Sequence, residues 1–139
     1  MEETNRIEEK LADIKEYLGE LGSRLTVSFE DYKAADVALK RLVERDLQLI
    51  NDSEIDILGL LVKMKELSIA SSEEALIDKF VKIFDKKTIA HLKEFRRLRN
   101  VLTHAYKSET YDESVFNAAK ELADVHRFMQ QIEKILSTY

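Results

Sequence analysis

Residues Phe95 to Tyr106 read FRRLRNVLTHAY. Phe95, Leu98 and Leu102 continue the spacing begun by Ile89 and Leu92, apolar steps of three and four that mark one buried face of a helix. This stretch therefore makes the basic heart of the chain helical. It also gathers Arg96, Arg97, Arg99, Asn100, His104 and Tyr106 within eleven positions. A guanidinium offers a fixed fork of donors to phosphate oxygens, and an imidazole can both take and give a proton near neutrality. Together they point to phosphodiester chemistry.

The segments around it carry the same helical period. The helix bearing the motif begins near Thr88. Upstream, Ser71 and Ser72 followed by Glu73 and Glu74 open a short helix carrying Leu76, Ile77, Phe80, Val81 and Phe84, which ends around Asp85 to Lys87. Ser28 with Asp31 forms a capping-box pattern that starts a helix at Phe29. From there to about Ile69 the apolar positions are Val37, Leu42, Leu49, Ile57, Leu60, Leu61 and Met64, with a bend expected near Asn51 to Glu54 or at Gly59. The first helix follows Ile7, Leu11, Ile14, Leu18, Leu21 and Leu25 and stops near Leu21, where Gly19 and Gly22 weaken it. After a connection capped by Thr110 and Glu113, the last helix uses Val115, Ala118, Leu122, Val125, Met129, Ile132 and Leu136. The first and last helices are expected side by side. The pattern predicts an all-α, antiparallel bundle of about five helices in one domain spanning residues 1–139.

Composition agrees. No proline and three glycines leave almost nothing to punctuate strands or hairpins. With no cysteine there is no disulfide framework and no thiolate metal site. MEETNRIEEK is charged where a signal peptide is apolar, and no run approaches the roughly 20 apolar residues of a membrane span, so a soluble, cytoplasmic protein is expected. The net charge of −5 argues against general nucleic-acid binding, but its distribution does not. Between Lys86 and Lys107, seven cationic residues face Glu94 alone, a local +6 that leaves −11 for the remainder. Lys93, Arg96, Arg97 and Lys107 are thus candidate RNA-backbone contacts, and the same patch suits the acidic flank of a partner protein.

On an ideal helix Asn100 and His104 fall about 40° apart, Arg99 and Tyr106 about 20°, but Arg99 and His104 about 140°. Arg99 and His104 then address a ligand from different sides, or the helix loosens near His104. Metal is not required: His104 can remove a 2′-hydroxyl proton while Arg99 stabilises charge on the phosphate. One imidazole cannot act on both sides of an in-line displacement, whereas two copies of the motif can, which predicts a homodimer. Asn100 would orient the histidine or the phosphate, and Asp52 or Asp56 would hold Arg99 or His104 as a supporting carboxylate. Against this, a surface arginine is usually solvated or ion-paired, a single histidine such as His91 or His126 is usually only a satisfied polar group, and Asp52 and Asp56 fit an ordinary solvated face. No metal-ligand spacing such as HExxH occurs.

The spacing Arg99, Asn100, His104, Tyr106, written R-N-x-x-x-H-x-Y, resembles the signature of the HEPN superfamily, and RNVLTHAY most resembles the HepT-like toxins paired with a minimal nucleotidyltransferase antitoxin. ERDLQLINDSEIDI, from Glu44 to Ile57, is similar to that family's helix with a glutamate and an IDI sequence, with Asp52 standing at the glutamate position. The resemblance spans roughly residues 30 to 115. It implies a helical homodimer and a ribonuclease toxin without a cofactor. It also implies a partner transferase that silences the toxin by AMPylation of Tyr106, whose added charge and bulk would block the site. A non-catalytic helical subunit that binds nucleotide or substrate for a nucleotidyltransferase is the alternative.

Overall fold

In the computed structural model, which describes residues 2–25, 27–102 and 109–139, all regular structure among the described residues is helical. The order is α1 (Glu2–Arg24), α2 (Phe29–Ala34), α3 (Val37–Met64), α4 (Glu73–Asp78), α5 (Lys86–Leu102), α6 (Glu109–Lys120) and α7 (Ala123–Leu136). The sequence pattern suggests about five. Two of the expected helices are each divided in two, and the first break has a local cause.

The first lies at Ala35 and Asp36, both extended, where Asp36 Oδ1 accepts a hydrogen bond from the Leu39 N–H at 3.0 Å and so caps α3. Asn51 to Glu54 and Gly59, the expected bend points, lie inside the uninterrupted α3 instead. The second break, at Glu121 and Leu122, separates α6 from α7 without a side-chain cap. Thr110 lies within α6 rather than ahead of it. Ser28 and Ser72 cap α2 and α4 through the N–H groups of Asp31 (3.2 Å) and Ala75 (3.1 Å), as their spacing predicts. At the N-terminus, α1 runs past both weak glycines to Arg24, which bonds Glu20 at 3.3 Å and the buried Asp46 of α3.

The long α3 is the axis. It packs α1 on one side and α5 on another, α7 lies against α5, α2 pairs with α6, and α4 rests on α3 and α5. Val43, Leu47, Ile50, Ile57, Leu58 and Leu61 of α3 meet Ile7, Leu11, Ile14 and Leu21 of α1, Leu92 and Phe95 of α5, and Val125, Phe128, Met129 and Ile132 of α7 in one apolar cluster. Each such side chain removed from water contributes about 1.5–3 kcal/mol. Beyond α4 the chain turns through residues 79–84, where Phe80 stacks on Phe84 and Phe84 meets Phe128 edge-on. Val37 and Leu42, read from the sequence as part of the apolar stripe, stand 60% and 45% exposed at the start of α3. α1 and α7 flank a shared groove lined by Leu11, Ala12 and Leu136. No helix among the described residues is long and apolar enough to cross a membrane.

Candidate functional site

The basic motif is carried by the second half of α5, and the fold surrounds it with acids from two other helices. α5 starts at a cap built by Asp85, whose carboxylate accepts the Thr88 N–H at 2.8 Å and the Gln131 amide of α7 at 2.8 Å. The Thr88 bond is the main reason its carboxyl is held below the usual range. One turn on, His91 and Phe95 turn into the core, and Lys93, Arg96 and Arg99, spaced by three, follow one another toward the C-terminal end.

Arg99 is the best-anchored of these. Its Nη1 donates to Asp52 Oδ1 at 3.2 Å and its Nη2 donates to Glu73 Oε1, which joins the end of α5 to α3 and to the first turn of α4. The bond to Glu73 is the strongest influence holding the guanidinium protonated, partly offset by burial. Arg96 Nε lies 3.4 Å from that same Glu73 oxygen, and Lys93 Nζ lies 3.0 Å from Asp78 Oδ1 at the far end of α4. The α4 acids therefore run antiparallel along the basic face of α5. Much of the local +6 read from the sequence is balanced here.

Among the sequence-predicted residues, the structure brings Asp52 to Arg99 and does not bring Asp56, which pairs with Lys10 of α1 at 3.2 Å. Arg97 and Asn100 are exposed on α5. His104, Tyr106 and Lys107 lie outside the described residues. Just beyond them the start of α6 is fastened to α3: the Tyr111 hydroxyl donates to Glu44 at 2.6 Å, and Lys40 Nζ lies 3.1 Å from Asp112. No group of three or more potential metal-binding His, Cys, Asp or Glu residues occurs among the described residues.

Two side chains that build the site or its support escape sequence reasoning. Glu73 reads as a helix-capping acid, and only the turn between α3 and α4 carries it onto Arg99. His91 reads as unremarkable, yet its Nε2 lies 2.6 Å from Glu54 Oε2, both side chains being sealed from solvent. Its position one turn before Phe95 on the buried face was the available signal. Burial pulls its pKa down, but the charge and hydrogen bond of Glu54 outweigh this and leave it raised. Beside it, Glu54 Oε1 and both amide atoms of Asn51 are buried without a hydrogen-bond partner among the described residues.

A family model described as ribonuclease HepT-like matches residues 7–132. Comparison with curated proteins finds no match. Among solved structures, a tri-AMPylated HEPN toxin of Shewanella oneidensis in complex with an MNT antitoxin superposes with a TM-score of 0.81 at 23% identity, covering 93% of this chain and 97% of that one. A mutant MntA–HpeT toxin–antitoxin complex gives 0.84 at 22%, covering 94% and 98%, and a toxin–antitoxin complex with AMP-PNP gives 0.79 at 20%, covering 94% and 98%. At such identities these likenesses speak to the fold.

Proposed function

The chain belongs to the ribonuclease HepT-like family, and from that premise we propose that it is the toxin of a toxin–antitoxin pair, an endoribonuclease acting as a homodimer and silenced by a nucleotidyltransferase. The observation that carries this reading is the family match over residues 7–132 taken with the sequence R-N-x-x-x-H-x-Y at Arg99 to Tyr106.

The chemistry is transphosphorylation. His104 takes the proton of an RNA 2′-hydroxyl, the freed oxygen attacks the adjacent phosphorus, and the bond from phosphorus to the 5′-oxygen breaks. The leaving oxygen takes a proton from the imidazolium of a second copy, leaving a 2′,3′-cyclic phosphate and a 5′-hydroxyl. Arg99 stabilises charge on the phosphoryl oxygens, and Asn100 orients the imidazole or the phosphate. Asp52, hydrogen-bonded to Arg99, fixes the plane of its guanidinium. Arg96, Arg97, Lys93 and Lys107 contact the RNA backbone. Neither proton transfer nor charge stabilisation calls for a metal.

The antitoxin is a minimal nucleotidyltransferase that places AMP on Tyr106. An AMPylated HEPN toxin in complex with its MNT antitoxin is among the structures this chain resembles. A nucleotide phosphate on that phenol would compete for the guanidinium that serves RNA. Expression of this chain alone is expected to arrest growth. Co-expression with a cognate minimal nucleotidyltransferase is expected to restore growth and to leave adenylyl groups on Tyr106 by mass spectrometry. Rescue with Tyr106 unmodified overturns the AMPylation step, and harmless expression of the chain alone counts against the toxin.

A further inference from the structure

We propose that α4 is a built-in competitor for the phosphodiester site, with the Glu73 carboxylate seated between Arg96 and Arg99 where a phosphate of single-stranded RNA would bind. This deepens the ribonuclease reading above and rests on it.

A single carboxylate oxygen, Glu73 Oε1, serves both guanidiniums: it accepts from Arg99 Nη2 and stands 3.4 Å from Arg96 Nε. Two fixed cationic forks converging on one oxygen are a geometry that a phosphodiester, whose two anionic oxygens share one charge but stand wider apart on a tetrahedral phosphorus, fills more completely than a planar carboxylate does. The shortfall is visible. Arg96 Nε is buried yet has no hydrogen-bond partner among the described residues, because its approach to Glu73 satisfies charge but not bond geometry. A second phosphate oxygen would meet that donor.

The competitor is also placed to leave. α4 is six residues long, its first turn is held by the Ser72 cap, and within it Ile77 alone is fully buried. The Glu73 side chain is 35% exposed whereas Arg99 is 18% exposed, so Glu73 can swing into water while the guanidinium stays in place on Asp52. Exchanging one anion for another keeps the local charge unchanged, so no unpaired arginine is left at any stage. Lys93 and Asp78 repeat the arrangement farther along the same two helices, extending the masked track beyond a single phosphate.

The test is binding of a 2′-O-methyl oligoribonucleotide, which lacks the attacking hydroxyl, to the full-length protein by fluorescence anisotropy across a salt series. E73Q is expected to bind about three- to tenfold more tightly than wild type, an effect carried by removing one competing charge. The slope of log affinity against log salt should steepen by about 0.7, the share of one additional phosphate contact on a single strand. E74Q removes the same charge from the exposed neighbouring position and is expected to stay within about twofold of wild type, as general electrostatics alone would dictate. In the double variant E73Q/R96A the gain is lost. S72A, which weakens the α4 cap without altering any charge, is expected to move affinity in the same direction as E73Q by a smaller factor, and it serves if E73Q does not fold. Unchanged or weaker binding by E73Q, an equal gain in E74Q, or a gain that survives R96A overturns the proposal; where only S72A folds, unchanged binding does so. RNA cleavage by wild type is measured separately. Absence of cleavage with the gain intact removes the ribonuclease reading alone, and cleavage without the gain removes this inference alone.

Discussion

His91 Nε2 of α5 lies 2.6 Å from Glu54 Oε2 of α3, and neither side chain reaches solvent. The imidazole also sits 4.3 Å, centroid to centroid, from the ring of Phe95. This pair ties together the two helices that carry Asp52 and Arg99, so it sets the floor on which the basic motif stands. Removing one partner leaves a buried charge uncompensated. Glu54→Ala is expected to destabilise the fold by about 3–5 kcal/mol, read as a lower urea midpoint, while the joint replacement E54L/H91L loses far less because it removes both polar groups together. A loss below about 1 kcal/mol for Glu54→Ala would place little weight on the pair.

The same pair gives stability a pH dependence of definite sign. Burial lowers the His91 pKa, but Glu54 chiefly, with Asp124 and Glu94 adding to it, raises it above the ordinary 6.5. A folded pKa above the unfolded one means that the folded state binds the proton more tightly, so the stabilisation is complete below pH 6.5 and is lost as pH rises through the raised folded value. Urea midpoints of wild type minus those of His91→Gln should therefore shrink as pH is raised above about 6.5. A difference that grows with pH would contradict the assignment.

At the end of α3, Glu66 takes a positive φ of 54°, with its N–H bonded to Lys63 O at 3.2 Å and the Leu67 N–H bonded to Val62 O at 3.0 Å. This is the hydrogen-bond pattern in which glycine ordinarily occupies the left-handed position. Glu66→Gly is expected to raise stability by about 0.5–1 kcal/mol, the left-handed strain relieved less the added freedom of the unfolded chain. Thermal unfolding measures it, and a lower melting temperature would show that the Glu66 side chain contributes more than its backbone strain.

Asp52 and Asp56 separate by partner. Among the described residues Asp56 pairs with Lys10 at the surface, so Asp56→Ala should cost less than about 0.5 kcal/mol and leave RNA cleavage unchanged. Asp52→Asn loosens the orientation of Arg99 and is expected to lower kcat about tenfold with KM little altered. Equal kinetics in the two variants would remove Asp52 from the site.

The helical period of Ile7, Leu11, Ile14 and Leu21, and the serine caps at Ser28 and Ser72, were legible because each is decided within a turn or two of chain. The break at Asp36 was missed because the alanines before it are good helix formers, and the capping carboxylate acts only once the backbone has turned. His91 and Glu54, 37 positions apart, and Arg99 and Glu73, 26 apart, are products of packing, and no local pattern announces them. The basic run was plain in the sequence. Its partial balancing by Asp52, Glu73 and Asp78 was not, since those acids come from other helices.

The account turns on Arg99 and His104 acting together on an RNA phosphate. Purified wild-type protein, expressed alone and assayed in excess EDTA, is expected to cleave single-stranded RNA to products with 2′,3′-cyclic phosphate ends. Arg99→Ala and His104→Ala, each still folded and in the oligomeric state of wild type, should each lower the rate by at least about a hundredfold, the scale of a lost general base or charge-stabilising group. Cleavage by either variant at the wild-type rate would contradict the account.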